Sequence, residues 1–245
     1  MNAAIELKGV TKHFKDVTAI KDINVKIAQG EILGVIGPSG SGKTTLLRMI
    51  DFLETPDKGT VALDGSEIRA GSTAADRARR NIGMVLQKPV VLNRSVANNL
   101  AYSLLIRGWQ EDKIKARVAE ELKRLGLSER KRKNARTLSG GEMQRLSFAR
   151  STIYEPKILL LDEFAANLDP KNVGLLEEQI RRYALEDASR TVVMVTHNIF
   201  QAKRLCTKVA LMWEGEIVEI ADKKTFFENP TDPRSSAFVS GDLVY

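Results

Sequence analysis

The residues with the clearest chemical meaning form one short segment, 37–44, with the spacing G-x-x-x-x-G-K-T. Glycines at this spacing let the backbone turn so that its N–H groups point inward and bind phosphate oxygens. We expect Lys43 to bind the β- and γ-phosphates of a nucleoside triphosphate, Thr44 to bind Mg²⁺, and Thr45 to contact the α-phosphate. The predicted phosphate-binding residues are Gly37, Pro38, Ser39, Gly40, Ser41, Gly42, Lys43, Thr44 and Thr45.

The residues on either side of this loop support the same interpretation. Residues 31–36 form a short apolar run that predicts a buried strand, and Leu46, Leu47 and Ile50 follow with the spacing of an apolar helix face. A helix that begins at the loop points the positive end of its dipole at the phosphates. The alternative, a glycine- and serine-rich loop without a ligand, is disfavoured by this strand–loop–helix context.

Two acidic residues, Asp162 and Glu163, end a second apolar run at residues 157–161. In open α/β sheets, ligands bind at the carboxyl ends of the strands. We expect Asp162 to hold Mg²⁺ through water, and Glu163 to orient and polarise the water that attacks the terminal phosphate. A solvated acidic pair at a strand end is the alternative, and the phosphate loop makes it the weaker one.

With these motifs the chain resembles the nucleotide-binding subunit of an ABC transporter over nearly its full length. The resemblance implies ATP and Mg²⁺ as ligands and ATP hydrolysis as the activity. It also implies that Phe14 stacks on adenine, that Gln87 contacts Mg²⁺ and water, and that His197 contacts the γ-phosphate. The implied catalytic residues are Glu163, His197, Gln87 and Lys43, and the implied metal ligands are Thr44, Gln87 and Asp162.

Two further segments carry the resemblance, because 138–142 matches the family's signature and 167–169 matches a loop that crosses a dimer interface. They imply further nucleotide contacts from Ser139, Gly140, Gly141, Glu142 and Asp169. The signature lies at the tip of the helical part and cannot fold back onto its own phosphate loop. Two copies of the chain are therefore expected to enclose two ATP molecules.

Glu142 departs from the family pattern, in which glutamine is commoner. An ionised carboxylate cannot donate a hydrogen bond, and it adds negative charge near a triphosphate. We expect function to survive, because Ser139, the Gly141 backbone and the helix N-terminus should supply the main phosphate contacts.

Two of the candidate site residues also have a simpler structural interpretation. Phe14 lies in a polar stretch and is either an adenine platform or a core aromatic. His197 ends the apolar run 192–195 and either contacts the γ-phosphate or only caps a helix or fills the core. The single cysteine, Cys206, is expected to be a small core residue and not a nucleophile.

Composition limits the location and the partners. The net charge is +7, and the clearest basic run is 130–133 with Arg136. The run lacks interleaved aromatic residues, so no nucleic acid is expected as a partner. The run is either a solvated helix end or a surface near lipid or a partner protein.

No stretch approaches the roughly 18–20 apolar residues that span a bilayer, and the N-terminus has no apolar signal core. We expect a peripheral protein on the cytoplasmic face of the inner or plasma membrane.

The predicted fold class is α/β: a P-loop NTPase core with a mixed sheet and helices, an antiparallel β subdomain and an inserted α-helical subdomain. The chain is predicted to be one ABC ATPase domain, 1–245. Residues 1–87 and 156–245 form its core and β subdomain, and 88–155 form the helical subdomain with the signature. Gly126 is expected to end one helix and Ser139 to cap the next.

Three classes of protein use such an ATPase head. DNA-repair and chromosome ATPases insert long coiled coils between the phosphate loop and the signature, and no sustained heptads occur here. Translation-type ATPases need two cassettes in one chain, and one is present. An importer subunit that drives a separate permease is therefore predicted, with an exporter or lipoprotein-release ATPase left open.

The cargo is predicted from resemblance alone. Segments 87–96, 200–205 and 238–245 resemble the ATPases of tungstate-type oxyanion importers, and phosphate and polar amino acid importers share parts of them. We expect permease partners and, indirectly, an extracytoplasmic binding protein for a tetrahedral oxyanion, tungstate first.

Overall fold

Two β-sheets and a group of helices form the fold in a computed structural model, which describes residues 3–166 and 168–242. The strands are β1 (Ala3–Phe14), β2 (Val17–Ala28), β3 (Ile32–Ile36), β4 (Lys58–Leu63), β5 (Ser66–Glu67), β6 (Ile82–Val85), β7 (Ile158–Asp162), β8 (Thr191–Thr196), β9 (Lys208–Trp213) and β10 (Glu216–Asp222). The helices are α1 (Lys43–Ile50), α2 (Thr73–Arg79), α3 (Val96–Leu105), α4 (Glu111–Leu125), α5 (Gly140–Thr152), α6 (Pro170–Glu186), α7 (Ile199–Leu205), α8 (Lys223–Glu228) and α9 (Pro233–Ser240).

The first sheet is antiparallel, with the strand order β2-β1-β4-β5. Ile5 in the central strand β1 pairs with Ile27 on one side and with Leu63 on the other. All three side chains are buried in a core that also includes Leu47 of the helix after the phosphate loop. The antiparallel sheet therefore packs against the segment that the sequence assigns to phosphate binding.

The second sheet is mixed, with the order β10-β9-β3-β8-β7-β6. All described pairings are parallel except the one between β9 and β10. Strands β3, β7 and β8 are buried along their whole length, which explains why they read as continuous apolar runs. Ile36 pairs with Thr196 and Asp162 pairs with Val195, so the three strands end at one edge. That edge carries the predicted site.

Helices α3, α4 and α5 share a separate apolar core. Ile114, Val118 and Leu122 of α4 face it at four-residue spacing, as the sequence predicts. Gly126 ends α4 in the left-handed conformation, with φ of 67°. The Ser139 side chain caps α5, so both predicted helix boundaries are confirmed.

The long helix α6 was not predicted from the sequence, and neither were three short elements, namely α2, α8 and the two-residue strand β5. Cys206 is buried, as expected, and burial raises the pKa of its thiol to about 12. Within the described residues, no helix combines the length and the apolar content that a bilayer span requires.

Candidate active site

The phosphate loop owes its shape to close backbone contacts at two glycines. Gly37 has φ of 148°, and a Cβ there would lie 2.0 Å from the Met212 carbonyl oxygen. Gly42 has φ of 102°, and a Cβ there would lie 2.3 Å from the Ala19 carbonyl oxygen. Neither position has room for a side chain, because the neighbouring atoms are backbone. The loop is therefore fixed between β2 and β9.

Lys43 is the buried cation of the loop, with 5% of its surface exposed. Its Nζ donates to the carbonyl oxygens of Gly37, at 3.0 Å, and Pro38, at 2.6 Å. Burial lowers the pKa of Lys43, while the charges of Glu163 and Asp162 act in the opposite direction. The ammonium group is thus held against the loop on the side of the acidic pair.

A hydroxyl and a carboxylate meet at the start of α1. Thr44 Oγ1 donates to Asp162 Oδ1 at 3.0 Å. Burial raises the pKa of Asp162 and the neighbouring Glu163 adds to the rise, whereas Thr44 and Lys43 oppose it. Hard oxygen donors are the ligands that Mg²⁺ prefers. The donor set therefore fits that ion.

Glu163 is the centre of a three-residue cluster. Gln87 Nε2 donates to Glu163 Oε2 at 3.1 Å, and His197 Nδ1 lies 3.3 Å from Glu163 Oε1. Glu163 has a left-handed φ of 40°, and its N–H donates to the Val195 carbonyl oxygen at 3.0 Å. A cavity of about 390 Å³ opens beside the cluster, and its lining residues are Ala19, Ser39, Gly40, Gly42, Lys43, Thr44, Thr45, Gln87 and Glu163. The structure thus brings Gln87 and Glu163 to the phosphate loop.

The signature segment begins α5 with a reciprocal cap. Ser139 Oγ accepts from the Glu142 N–H, and Glu142 Oε2 accepts from the Ser139 N–H at 3.0 Å. Arg130 Nη1 lies 3.1 Å from the same oxygen. Burial opposes the shift, but the bonds from Ser139 and the charge of Arg130 hold the pKa of Glu142 below its usual value. The glutamate that departs from the family pattern is therefore a helix cap with its own cation.

Helix α6 contacts the signature through Asn172. A Cβ on Gly141 would lie 2.4 Å from the Asn172 side chain. Arg145 Nη1 donates to Asn172 Oδ1, and Asn172 donates from its backbone and its side chain to the Asp169 carboxylate. The signature helix and the helix capped by Asp169 are thus joined by side-chain hydrogen bonds.

Some predicted residues lie outside the cavity beside Glu163. Ser139, Gly140, Gly141 and Glu142 begin α5, and Asp169 caps α6. Phe14 ends β1 with 42% of its surface exposed and Lys12 Nζ 5.2 Å above its ring. This exposure excludes the core alternative for Phe14. Asn167 lies outside the described residues.

Four residues that line or support the site were not predicted from the sequence. Ala19 lines the cavity, Arg130 pairs with Glu142, Asn172 contacts Gly141, and Gln144 bonds the loops that carry Gln87 and Glu163. Among these four residues only Arg130 has a sequence signal, since it belongs to the basic run 130–133.

Residues 20–166 match the family model described as ABC transporter. The chain belongs to the ABC transporter family. As an ABC ATP-binding domain it is an ATPase of the transport type, so the predicted family and enzymatic activity are confirmed.

Two curated ABC relatives illustrate how far the similarity extends. The phosphate import ATP-binding protein PstB 2 of Natronomonas pharaonis is 36% identical over 98% of this chain and 88% of its own length. The methionine import ATP-binding protein MetN 2 of Rhodococcus jostii is 38% identical over 98% of this chain and 72% of its own length.

Solved ABC structures confirm the predicted fold. CbiO1 of Clostridium perfringens, described as part of the ABC transporter complex cbiONQ, has a TM-score of 0.85 at 28% identity, covering 97% of this chain and 95% of that one. The ATP-binding cassette MJ0796, solved as a dimer in a post-hydrolysis state with ADP and Pi, has a TM-score of 0.81 at 29% identity. That match covers 89% of this chain and 98% of the neighbour.

Proposed function

We propose that the chain is the ATP-hydrolysing subunit of an importer, in which two copies enclose two ATP molecules and drive a separate permease. The observation that carries the proposal is the Glu163 cluster. Its carboxylate is bonded to Gln87 and lies 3.3 Å from His197, beside a cavity that the phosphate loop also lines. A positioned carboxylate at this place suits a general base that activates water.

The other residues of the site take complementary roles. The loop N–H groups and Lys43 bind the phosphates of ATP, while Thr44 and Asp162 hold Mg²⁺, with Gln87 nearby. When bound, Mg²⁺ supplies positive charge that neutralises the transferring phosphoryl group. Glu163 orients the attacking water, and His197 contacts the γ-phosphate.

The dimer is supported by where the signature lies. Ser139 and Asp169 are absent from the lining of the cavity beside Glu163, and both belong to helices that Asn172 joins. They are therefore available together to a second copy. The structural neighbour that was solved as a dimer with ADP and Pi supports the same arrangement.

Exposed apolar side chains support a permease surface near the membrane. Leu86 and Val90 flank Gln87 and are 40% and 47% exposed. At the end of α3, Leu105 and Ile106 are 61% and 53% exposed. Apolar side chains at such exposure mark protein interaction sites when they cluster. A permease bound here would reach Glu163 through Gln87, and it would hold the chain at the cytoplasmic face of the membrane.

The proposed cargo is an oxyanion, with tungstate tested first. This proposal rests on the resemblance of segments 87–96 and 238–245 to the ATPases of tungstate-type oxyanion importers. Residues 243–245 lie outside the described part of the chain. The phosphate importer among the relatives supports a tetrahedral oxyanion. The methionine importer among them supports an amino acid as the second candidate.

Reconstitution with the permease and its binding protein tests this function. A loaded binding protein favours the permease state that brings two cassettes together, so cargo should raise ATPase activity without touching this chain. Tungstate, molybdate, phosphate and methionine are compared at equal concentration. Stimulation by an oxyanion supports the proposal. Stimulation by methionine alone would reject the cargo and leave the importer ATPase in place.

A further inference from the structure

Gln144 bonds the two backbone segments that carry Gln87 and Glu163. It lies on α5, five residues after Ser139, and only 1% of its surface is exposed. Its Nε2 donates to the Leu86 carbonyl oxygen at 3.2 Å and to the Phe164 carbonyl oxygen at 2.7 Å. One amide group therefore uses both of its protons on residues adjacent in sequence to the two proposed catalytic side chains.

These bonds complete a closed ring. Leu86 precedes Gln87, Phe164 follows Glu163, and Gln87 donates to Glu163 at 3.1 Å. Gln144 joins the two ends through its amide. A displacement of α5 must therefore either move both loops or break a buried hydrogen bond.

Packing alone does not explain a glutamine at this place. Gln144 Oε1 is buried and has no hydrogen-bond partner among the described residues. An unsatisfied buried polar atom destabilises a fold by about 1–3 kcal/mol. Methionine has a similar length and would remove that penalty, but it would leave the Leu86 and Phe164 carbonyl oxygens without the bonds that the Gln144 amide donates. The donor half of the amide must therefore supply something that the acceptor half does not.

We propose that Gln144 is a positioning residue that transmits the position of the signature segment to Gln87 and Glu163 of its own chain. The inference rests on the proposed function, in which Ser139 serves the ATP bound to the partner copy. When the signature binds the partner's ATP, Gln144 positions the segments that carry Gln87 and Glu163 around the ATP of its own chain. Binding at one site is thereby coupled to hydrolysis at the other.

Gln144→Met in the full-length chain tests the proposal, with Ser151→Ala as the matched control. Ser151 lies on the same helix, and its buried Oγ donates at 2.7 Å to the Met84 carbonyl oxygen within β6, not to Leu86 or Phe164. We expect Gln144→Met to lower kcat by about 10- to 100-fold, because small misplacements of catalytic groups have effects of that size. The dissociation constant for ATP should stay within about twofold, since no phosphate contact is removed. Ser151→Ala should leave kcat within about twofold.

Two kinetic outcomes would overturn the positioning role: an unchanged kcat in Gln144→Met, or an equal fall in kcat in both variants at equal melting temperature. A third readout uses the Glu163→Gln background, where Gln144→Met should still form the ATP-bound dimer in light scattering. Loss of that dimer would instead make Gln144 an assembly residue and reject the proposal.

The proposed function has its own test. If the wild-type chain hydrolyses ATP and Glu163→Gln does not, the proposed function is supported, whatever the result for Gln144→Met. A wild-type chain without ATPase activity would reject both.

Discussion

Glu163 and His197 follow neighbouring parallel strands, β7 and β8, and 3.3 Å separates Glu163 Oε1 from His197 Nδ1. The pairing of Asp162 with Val195 sets this geometry, because it brings the ends of the two strands level. Gln87 reaches the other carboxylate oxygen from the segment after β6. The carboxylate is thus held from both sides, as a group that must orient a water molecule requires.

Replacing Glu163 by glutamine should stop turnover without preventing ATP binding. The amide keeps the shape of the side chain but is a poor base, so kcat should fall by at least about 100-fold. Phosphate release and equilibrium ATP binding are the two measurements. Lys43→Ala is the contrasting variant, in which ATP binding itself should weaken. Hydrolysis by Glu163→Gln near the wild-type rate would reject Glu163 as the base.

The same variant should dimerise only with nucleotide. The signature at the start of α5 is proposed to complete the phosphate site of the second copy, so Mg·ATP links two chains when hydrolysis is blocked. Light scattering of Glu163→Gln should show a monomer without nucleotide and a dimer with Mg·ATP. A monomer at saturating ATP and tens of micromolar protein would contradict the two-chain site for the isolated subunit.

The two signature glycines should differ in their tolerance of alanine. A Cβ on Gly141 would lie 2.4 Å from the Asn172 side chain, whereas a Cβ on Gly140 meets nothing within 4 Å. Gly141→Ala should therefore displace the Asn172 side chain, break its bonds to Arg145 and Asp169, and lower the free energy of unfolding by about 1–3 kcal/mol. Gly140→Ala is the control and should leave it nearly unchanged. Urea unfolding of both variants is the measurement, and equal midpoints would contradict the packing argument.

Asp51 should make stability depend on pH. It is 6% exposed, burial raises its pKa to about 6, and Arg79, 3.9 Å away, only partly opposes the rise. A raised carboxyl pKa means that ionisation destabilises the fold, so stability falls as the pH rises from the ordinary carboxyl pKa of 3.8 to about 6.

Asp51→Asn removes this titration. At pH 7.5 the variant should gain roughly 1–3 kcal/mol of unfolding free energy relative to wild type, beyond any difference at pH 4. Urea unfolding at both pH values checks it. If the free energy of unfolding differs between variant and wild type by the same amount at both pH values, ionisation of Asp51 does not cause the pH dependence.

Local patterns were enough to predict much of the fold. The loop at 37–44 lies between a buried strand and a helix, as its flanking residues indicate, and Gly126 and Ser139 bound helices as their residue types suggest. These features depend on neighbours within a few positions, which a sequence displays directly. The short strand β5 and the helices α2 and α8 are too short to show a clear period.

The contacts that sequence reasoning missed join residues distant in the chain. Gln144 donates to the carbonyl oxygen of Leu86, 58 positions away. No sequence period or motif predicts such a hydrogen bond. Arg130 was visible only as part of a basic run, and its pairing with Glu142 depends on how the turn before α5 folds. Residue types predicted the members of the cluster around Glu163, but its distances required the strand order of the mixed sheet.

Glu163 holds its carboxylate on a left-handed backbone, with φ of 40°. A residue with a side chain is destabilised there by about 1–3 kcal/mol, and glycine is not. Glycine at position 163 would therefore stabilise the fold and remove the carboxylate that hydrolysis needs. A laboratory selection that rewards only heat resistance would enrich glycine at 163 and recover chains that fold well and leave ATP intact.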